Sequence, residues 1–247
     1  MLPVLLVAGA LGANLAFLGL GWTFGYPDVL ADPPDLVLAA AHRPVVLLLF
    51  GLLAVSAALL APIAVLLGRT ARGHGRAIAV VGTAAAAVQV AGLLRWPLVV
   101  PFLGPADVDT FATLNTVLGT VVGETLGYAG TAAFTVLVVR AFPGRVTTPL
   151  GLVSAALVAC GVLVPLHVPG ADLANFAGYV AWSAWLVALA ITRRADPRRR
   201  TRHSRRRAAQ RDSSLRLDMR SLRSTAAAWV STVRPEIDSR VPISLYV

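Results

Sequence analysis

Six apolar stretches lie within residues 1–192 of the 247-residue chain, almost uninterrupted by charge. An α-helix needs about 20 such residues to cross a hydrocarbon layer roughly 30 Å thick. The stretches are 2–22, 44–67, 77–100, 113–139, 149–166 and 173–192. Together they predict an all-α integral membrane bundle of six transmembrane helices over residues 1–192. Residues 193–247 then form a basic tail, disordered or partly helical.

Charge divides the chain at the same point. Residues 1–192 carry seven Arg and seven acidic residues, whereas 193–247 carry fifteen Arg and five acidic ones, which is the whole net charge of +10. With 57% hydrophobic and 14% charged residues, the chain is too apolar for an ordinary water-soluble domain, where about 25% is charged. All the basic residues are Arg, a bias that reads as a GC-rich bacterial coding sequence. Cys160 is the only cysteine, so an intramolecular disulfide framework is excluded. The first stretch lacks a basic leading segment and exceeds the 7–15 apolar residues of a signal peptide, so it reads as a retained span.

Loop charge predicts the orientation. Arg69, Arg72 and Arg76 follow span two, Arg140 and Arg145 follow span four, and Arg193 and Arg194 follow span six. The alternate loops carry Asp28, Asp32 and Asp35, then Asp107 and Asp109, then Asp172, with Arg43 the one exception. Both termini are therefore expected in the cytoplasm of a bacterial cell. Trp22, Tyr26 and Trp96 are expected near the outer headgroups, and Trp182 and Trp185 against neighbouring helices. The first outer loop contains Pro27, Pro33 and Pro34, after which 35–42 suits a short surface helix. Pro62, Pro101 and Pro165 are expected to end or kink spans. Spans one to three show no echo in spans four to six, which gives little support to an inverted-repeat transporter.

Span four has a readable chemical face. Thr116, Thr120, Glu124, Tyr128, Thr131 and Thr135 recur at spacings that keep one side of an α-helix. Beside them Gly119, Gly123 and Gly127 form a small-residue stripe that lets helices approach closely. Span four is thus expected in the middle of the bundle, polar face inward. Glu124 would lie about 18 Å below the end of its helix, at mid-bilayer, where an ionisable group is by default a functional hypothesis. Arg95, about 9 Å deep in span three, and Gln89, about 18 Å deep, are its candidate partners. The expected buried polar cluster is therefore Glu124, Arg95, Gln89, Tyr128 and Thr120. Arg95 could instead snorkel towards the headgroups.

Other chemistry is weakly marked. His42 and His167 fall at outer helix ends, but two His without a third ligand do not make a metal site. No hydrolase, zinc-protease or nucleotide-loop motif is present, so no cofactor, metal or catalytic residue is expected. The run RRADPRRRTRHSRRR suits anionic lipid headgroups better than nucleic acid, because it abuts a span and lacks an aromatic platform. Leu215, Leu217, Met219 and Leu222 offer at most a short surface helix in the tail. A homo-oligomer is left open.

Three segments together resemble the bacterial multi-pass membrane family catalogued as domain of unknown function 4386: FGYPDVL at 24–30, LLRWPLVVP at 93–101 and GTVVGETLGY at 119–128. The resemblance covers 1–192 and implies that Arg95, Trp96, Gly123 and Glu124 are characteristic positions. It implies an architecture without an assigned activity. Three readings follow. The first is a non-enzymatic membrane protein whose polar cluster organises the bundle or binds a partner. The second is a small-solute or proton-coupled transporter using Glu124. The third is an enzyme acting on a lipid-like substrate through Asp28, His42 and His167.

Overall fold

The structure is a computed structural model that describes residues 1–195, with side chains to 194. The expectations placed on the tail beyond residue 195 lie outside the described residues. Six helices are long and apolar enough to cross a membrane: Leu2–Phe24, Pro44–Gly68, Gly75–Phe102, Val108–Ala141, Thr147–Leu166 and Ala171–Arg194. No strand occurs among the described residues. Large apolar side chains such as Leu11, Leu15, Leu48, Val55, Val80 and Ile191 face outward. Such a surface suits hydrocarbon and not water. The chain is a multi-pass membrane protein.

Prolines punctuate the spans as their missing donors require. The second span comprises α3 (Pro44–Ala58) and α4 (Leu60–Gly68), with the break at Leu59. Pro62 has no N–H to give the Ala58 carbonyl four residues earlier, so the regular ladder of helix bonds is interrupted there. Pro101 lies in a 3₁₀ turn, Val100–Phe102, after α5 (Gly75–Leu98), and Pro165 lies in the 3₁₀ segment Cys160–Leu166 that follows α8 (Thr147–Ala159). Within the first loop α2 (Pro34–Ala41) carries Asp35 in its first turn, where a carboxylate complements the helix N-terminus.

α5 packs against α3 and α4 of the second span and against the first half of the fourth span and α7 (Gly127–Ala141). The fourth span also meets the fifth, through α7 and α8, and the sixth, through Thr135 and Trp182. Because α5 is rich in Ala and Gly, its neighbours approach its backbone closely.

Two apolar clusters stack along the bundle. One, towards the Arg-bearing loops, joins Leu6 of α1 (Leu2–Phe24), Ile63, Leu67, Ile78, Phe134, Val138 and Trp185. The other, towards the Asp-bearing loops, joins Leu20, Phe24, Phe50, Trp96, Val100 and Phe111. Tyr26 packs on Phe17 and Phe50, and Trp96 stacks on Phe50 with ring centroids 4.4 Å apart. Neither forms a headgroup belt. Adjacent aromatic partners hold them inside, while Trp22 alone of the three projects outward.

Candidate functional site

Between the two apolar clusters lies a polar layer. On α1, Asn14 donates to the Ser183 hydroxyl at 2.9 Å. On α5 the layer holds Gln89 and Arg95, and on the fourth span it runs from Asn115 to Thr135. The fourth span opens with α6 (Val108–Leu114) and ends with α7, but residues Asn115–Leu126 between them form a π-helix. Its register is visible at Thr125, whose hydroxyl donates to the Thr120 carbonyl five residues back, at 2.8 Å.

This π segment changes the face predicted from α-helical spacing. A π-helix bonds five residues back and takes more residues per turn than an α-helix, so its rows of side chains drift away from those of α-helical spacing. Thr116 accordingly leaves the polar side: it is exposed and donates to the Ala112 carbonyl at 3.0 Å. Thr120, Glu124 and Tyr128 are half-buried, while Thr131 and Thr135 are fully buried. Glu124 stands five residues beyond Gly119.

The three glycines of the stripe each meet α5. A Cβ on Gly119 would stand 2.6 Å from an Arg95 guanidinium nitrogen, and one on Gly127 would stand 2.7 Å from Gln89 Cγ. Gly123 meets Gly92 backbone to backbone. The helices thus run antiparallel with 95, 92 and 89 opposite 119, 123 and 127.

Arg95 sits in this seam, 6% exposed. It donates to the Gly92 carbonyl at 2.5 Å and to Asn115 Oδ1 at 2.8 Å, and it lies 4.8 Å from the Trp96 ring centroid. Its Nε is buried without a partner. Gln89 donates to the Thr131 hydroxyl at 2.6 Å and to the Gly127 carbonyl at 3.4 Å. Neither bonds Glu124. The separation in height between Arg95 and Glu124 persists because Gly119, with no side chain, lets the guanidinium settle one turn away beside Asn115.

Glu124 makes no hydrogen bond and no ion pair within 4.0 Å among the described residues. It remains within electrostatic reach of Arg95, Tyr26, Tyr128 and Tyr179. Burial and the charge of Glu124 push the Tyr26 phenol, in the first loop, above its ordinary value. Tyr128 packs edge-on to Tyr179 with centroids 5.8 Å apart, and Tyr179 to Trp182 at 6.2 Å. The Trp182 indole donates to the Thr135 hydroxyl at 2.9 Å, and Asn175 donates to the Val158 carbonyl at 2.9 Å. A carboxylate therefore stands without a bond in mid-span, beside a wall of aromatic rings whose neighbours are bonded.

Asn115, Gly92 and Tyr179 were not singled out from the sequence. Gly92 could have been found, since it aligns with Gln89 and Arg95 at steps of three along α5. Asn115 signals nothing until the π register is known.

His42 is committed to structure. Its Nδ1 is 2.8 Å from the Leu38 carbonyl and its Nε2 is 3.0 Å from the Leu103 carbonyl. Among the described residues no group of three or more His, Cys, Asp or Glu side chains is placed to hold a metal. Compared with known proteins, the chain matches no family model, no curated protein and no solved structure.

Proposed function

We propose a non-enzymatic protein of a bacterial cytoplasmic membrane, both termini cytoplasmic, whose polar layer organises the bundle and whose Glu124 binds a small ligand. The observation that carries this reading is the division of labour in the layer. Arg95 is held by Asn115 and the Gly92 carbonyl, and Gln89 by Thr131, which leaves the Glu124 carboxylate unbonded. A charge at mid-bilayer costs about 2.5–3.5 kcal/mol on insertion scales. A purely structural carboxylate would recover part of that cost by accepting from Arg95. The loop charges support the orientation, and the Arg-rich tail suits anionic headgroups at about 1 kcal/mol per charge.

A second reading, a proton-coupled or small-solute carrier, is favoured by the half-buried state of Glu124 at mid-span. Proteoliposomes containing a trapped pH dye distinguish the two. A carrier dissipates an imposed proton gradient and its Glu124→Gln variant does not, whereas a binding protein leaves the gradient unchanged in both forms.

The test of the main reading is reaction with dicyclohexylcarbodiimide, an apolar reagent that enters bilayers and modifies carboxyl groups it can reach. The full chain in lipid nanodiscs is treated between pH 5 and 8 and mapped by peptide mass. Modification at Glu124, absent from Glu124→Gln, is the expected result. A Glu124 that reacts only after unfolding would be sealed and structural, and the reading would fall.

A further inference from the structure

Arg95, with its Nε unbonded, and Glu124, with no hydrogen bond, stand on opposing helices of the polar layer, and we infer that together they bind a small zwitterion, its anionic group on Arg95 and its ammonium group on Glu124. This rests on the reading of Glu124 as a ligand-binding carboxylate and adds the ligand class.

Arg95 supplies the anion side. It is 6% exposed, and its Nε has no partner although both terminal nitrogens are bonded. A buried N–H left unbonded is costly. Adjacent to it, the Trp96 indole Nε1 is also buried and unbonded. Donors thus exceed acceptors around Arg95, as an incoming carboxylate or similar oxyanion requires. A guanidinium is the side chain best shaped for such a group.

Glu124 supplies the cation side, with an unbonded carboxylate. Tyr128 follows it by four residues and leads through Tyr179 to Trp182 in edge-on steps. Aromatic faces attract an ammonium group.

The charge balance selects a zwitterion over a simple ion. Arg95 and Glu124 are mutually neutral. A lone cation at Glu124 or a lone anion at Arg95 would leave an unmatched charge in a medium of low dielectric, and such a charge is expensive. A zwitterion matches both and adds no net charge. A divalent metal is a poor alternative, because the described residues contain no set of three or more acidic, His or Cys ligands.

The test uses the full chain in nanodiscs and three probes of increasing charge separation: glycine, β-alanine and γ-aminobutyrate. Methylammonium and acetate serve as single-charge controls. The readouts are the rate of carbodiimide modification at Glu124 and the thermal midpoint. At about twice its dissociation constant a fitting probe slows modification about threefold and raises the midpoint with concentration. The rise is expected to vanish in Glu124→Gln and in Arg95→Lys, which keeps the charge but removes Nε. Three results would overturn the inference: no protection by any probe, equal protection by methylammonium alone, or a shift that survives Arg95→Lys. In each of these a reactive Glu124 still upholds the binding reading, whereas an unreactive Glu124 sinks both.

Discussion

Gly92 and Gly123 touch through their backbones. A Cβ on Gly92 would lie 2.5 Å from the Cα of Gly123, and a Cβ on Gly123 would lie 2.9 Å from the Cα of Gly92. No real Cβ tolerates such distances, and backbone cannot rotate aside. Gly92→Ala is therefore expected to push the third and fourth spans apart at about 1–3 kcal/mol or more. Gly51→Ala is the control: nothing lies within 4 Å of the added Cβ, and Ala is preferred over Gly inside a helix by about 0.5–1 kcal/mol. Thermal unfolding in detergent should show a large drop for Gly92→Ala and none for Gly51→Ala. Equal behaviour would mean that the two backbones do not meet.

Arg95 is expected to couple to Asn115 more strongly than to Glu124. The first pair shares a 2.8 Å hydrogen bond, the second none. Hydrogen bonds to charged groups are worth about 1.5–3 kcal/mol, although pairs inside membrane proteins average nearer 0.6 kcal/mol. Double-mutant cycles with Arg95→Leu, one against Asn115→Leu and one against Glu124→Gln, measure both terms. A larger Arg95–Glu124 coupling would contradict the arrangement of the polar layer.

The membrane bundle was legible because its signal is summed over about 20 residues at a time. Hydropathy located six spans, and Pro62, Pro101 and Pro165 marked where helices break or tighten. The contact face of the fourth span was legible too, since small residues at regular steps permit only one kind of packing. The register within that span was not. A π-helix leaves no local composition signal, so α-helical spacing put Thr116 beside Glu124 when the structure turns it outward. For the same reason Asn115 was passed over as the partner of Arg95. Trp96 and Tyr26 look like headgroup residues by position, and their neighbours Phe17, Phe24, Phe50 and Phe111 hold them inside.

Trp182 and Thr135 tie the sixth span to the fourth through a single hydrogen bond of 2.9 Å. Trp182→Phe keeps most of the apolar area and the edge-on contact to Tyr179 but loses the donor. A loss of about 0.6–1.7 kcal/mol is expected, and Thr135→Val, which also gives up its 2.7 Å donation to the Thr131 carbonyl, should cost less in the Trp182→Phe background than alone. Additive losses, measured by thermal unfolding, would show that the two side chains act separately.

The proposed orientation places Arg72 and Asp107 on opposite sides of the membrane. Because Cys160 is the only cysteine, a Cys160→Ser background permits single-cysteine variants Arg72→Cys and Asp107→Cys. An impermeant maleimide added to intact cells, stripped of their outer membrane where one is present, should label Asp107→Cys only, and Arg72→Cys should react after lysis. Labelling of both from the same side would overturn the even number of crossings.

His42 joins α2 to the turn that follows the third span. Its ring nitrogens contact the carbonyls of Leu38 and Leu103, at 2.8 Å and 3.0 Å, from opposite sides. The Leu38 contact closes the end of α2, and the Leu103 contact fixes that helix against the neighbouring loop. Replacing His42 by Leu removes both contacts while keeping a side chain of similar bulk. One hydrogen bond is worth about 1 kcal/mol, so amides of 34–41 that exchange by local opening should exchange about fivefold faster. Exchange at 44–58, buried in the second span, should stay unchanged. Equal acceleration in both segments would mean that the substitution destabilises the whole bundle, and unaltered exchange in 34–41 would mean that the loop is held by Val37 and Leu38 packing alone.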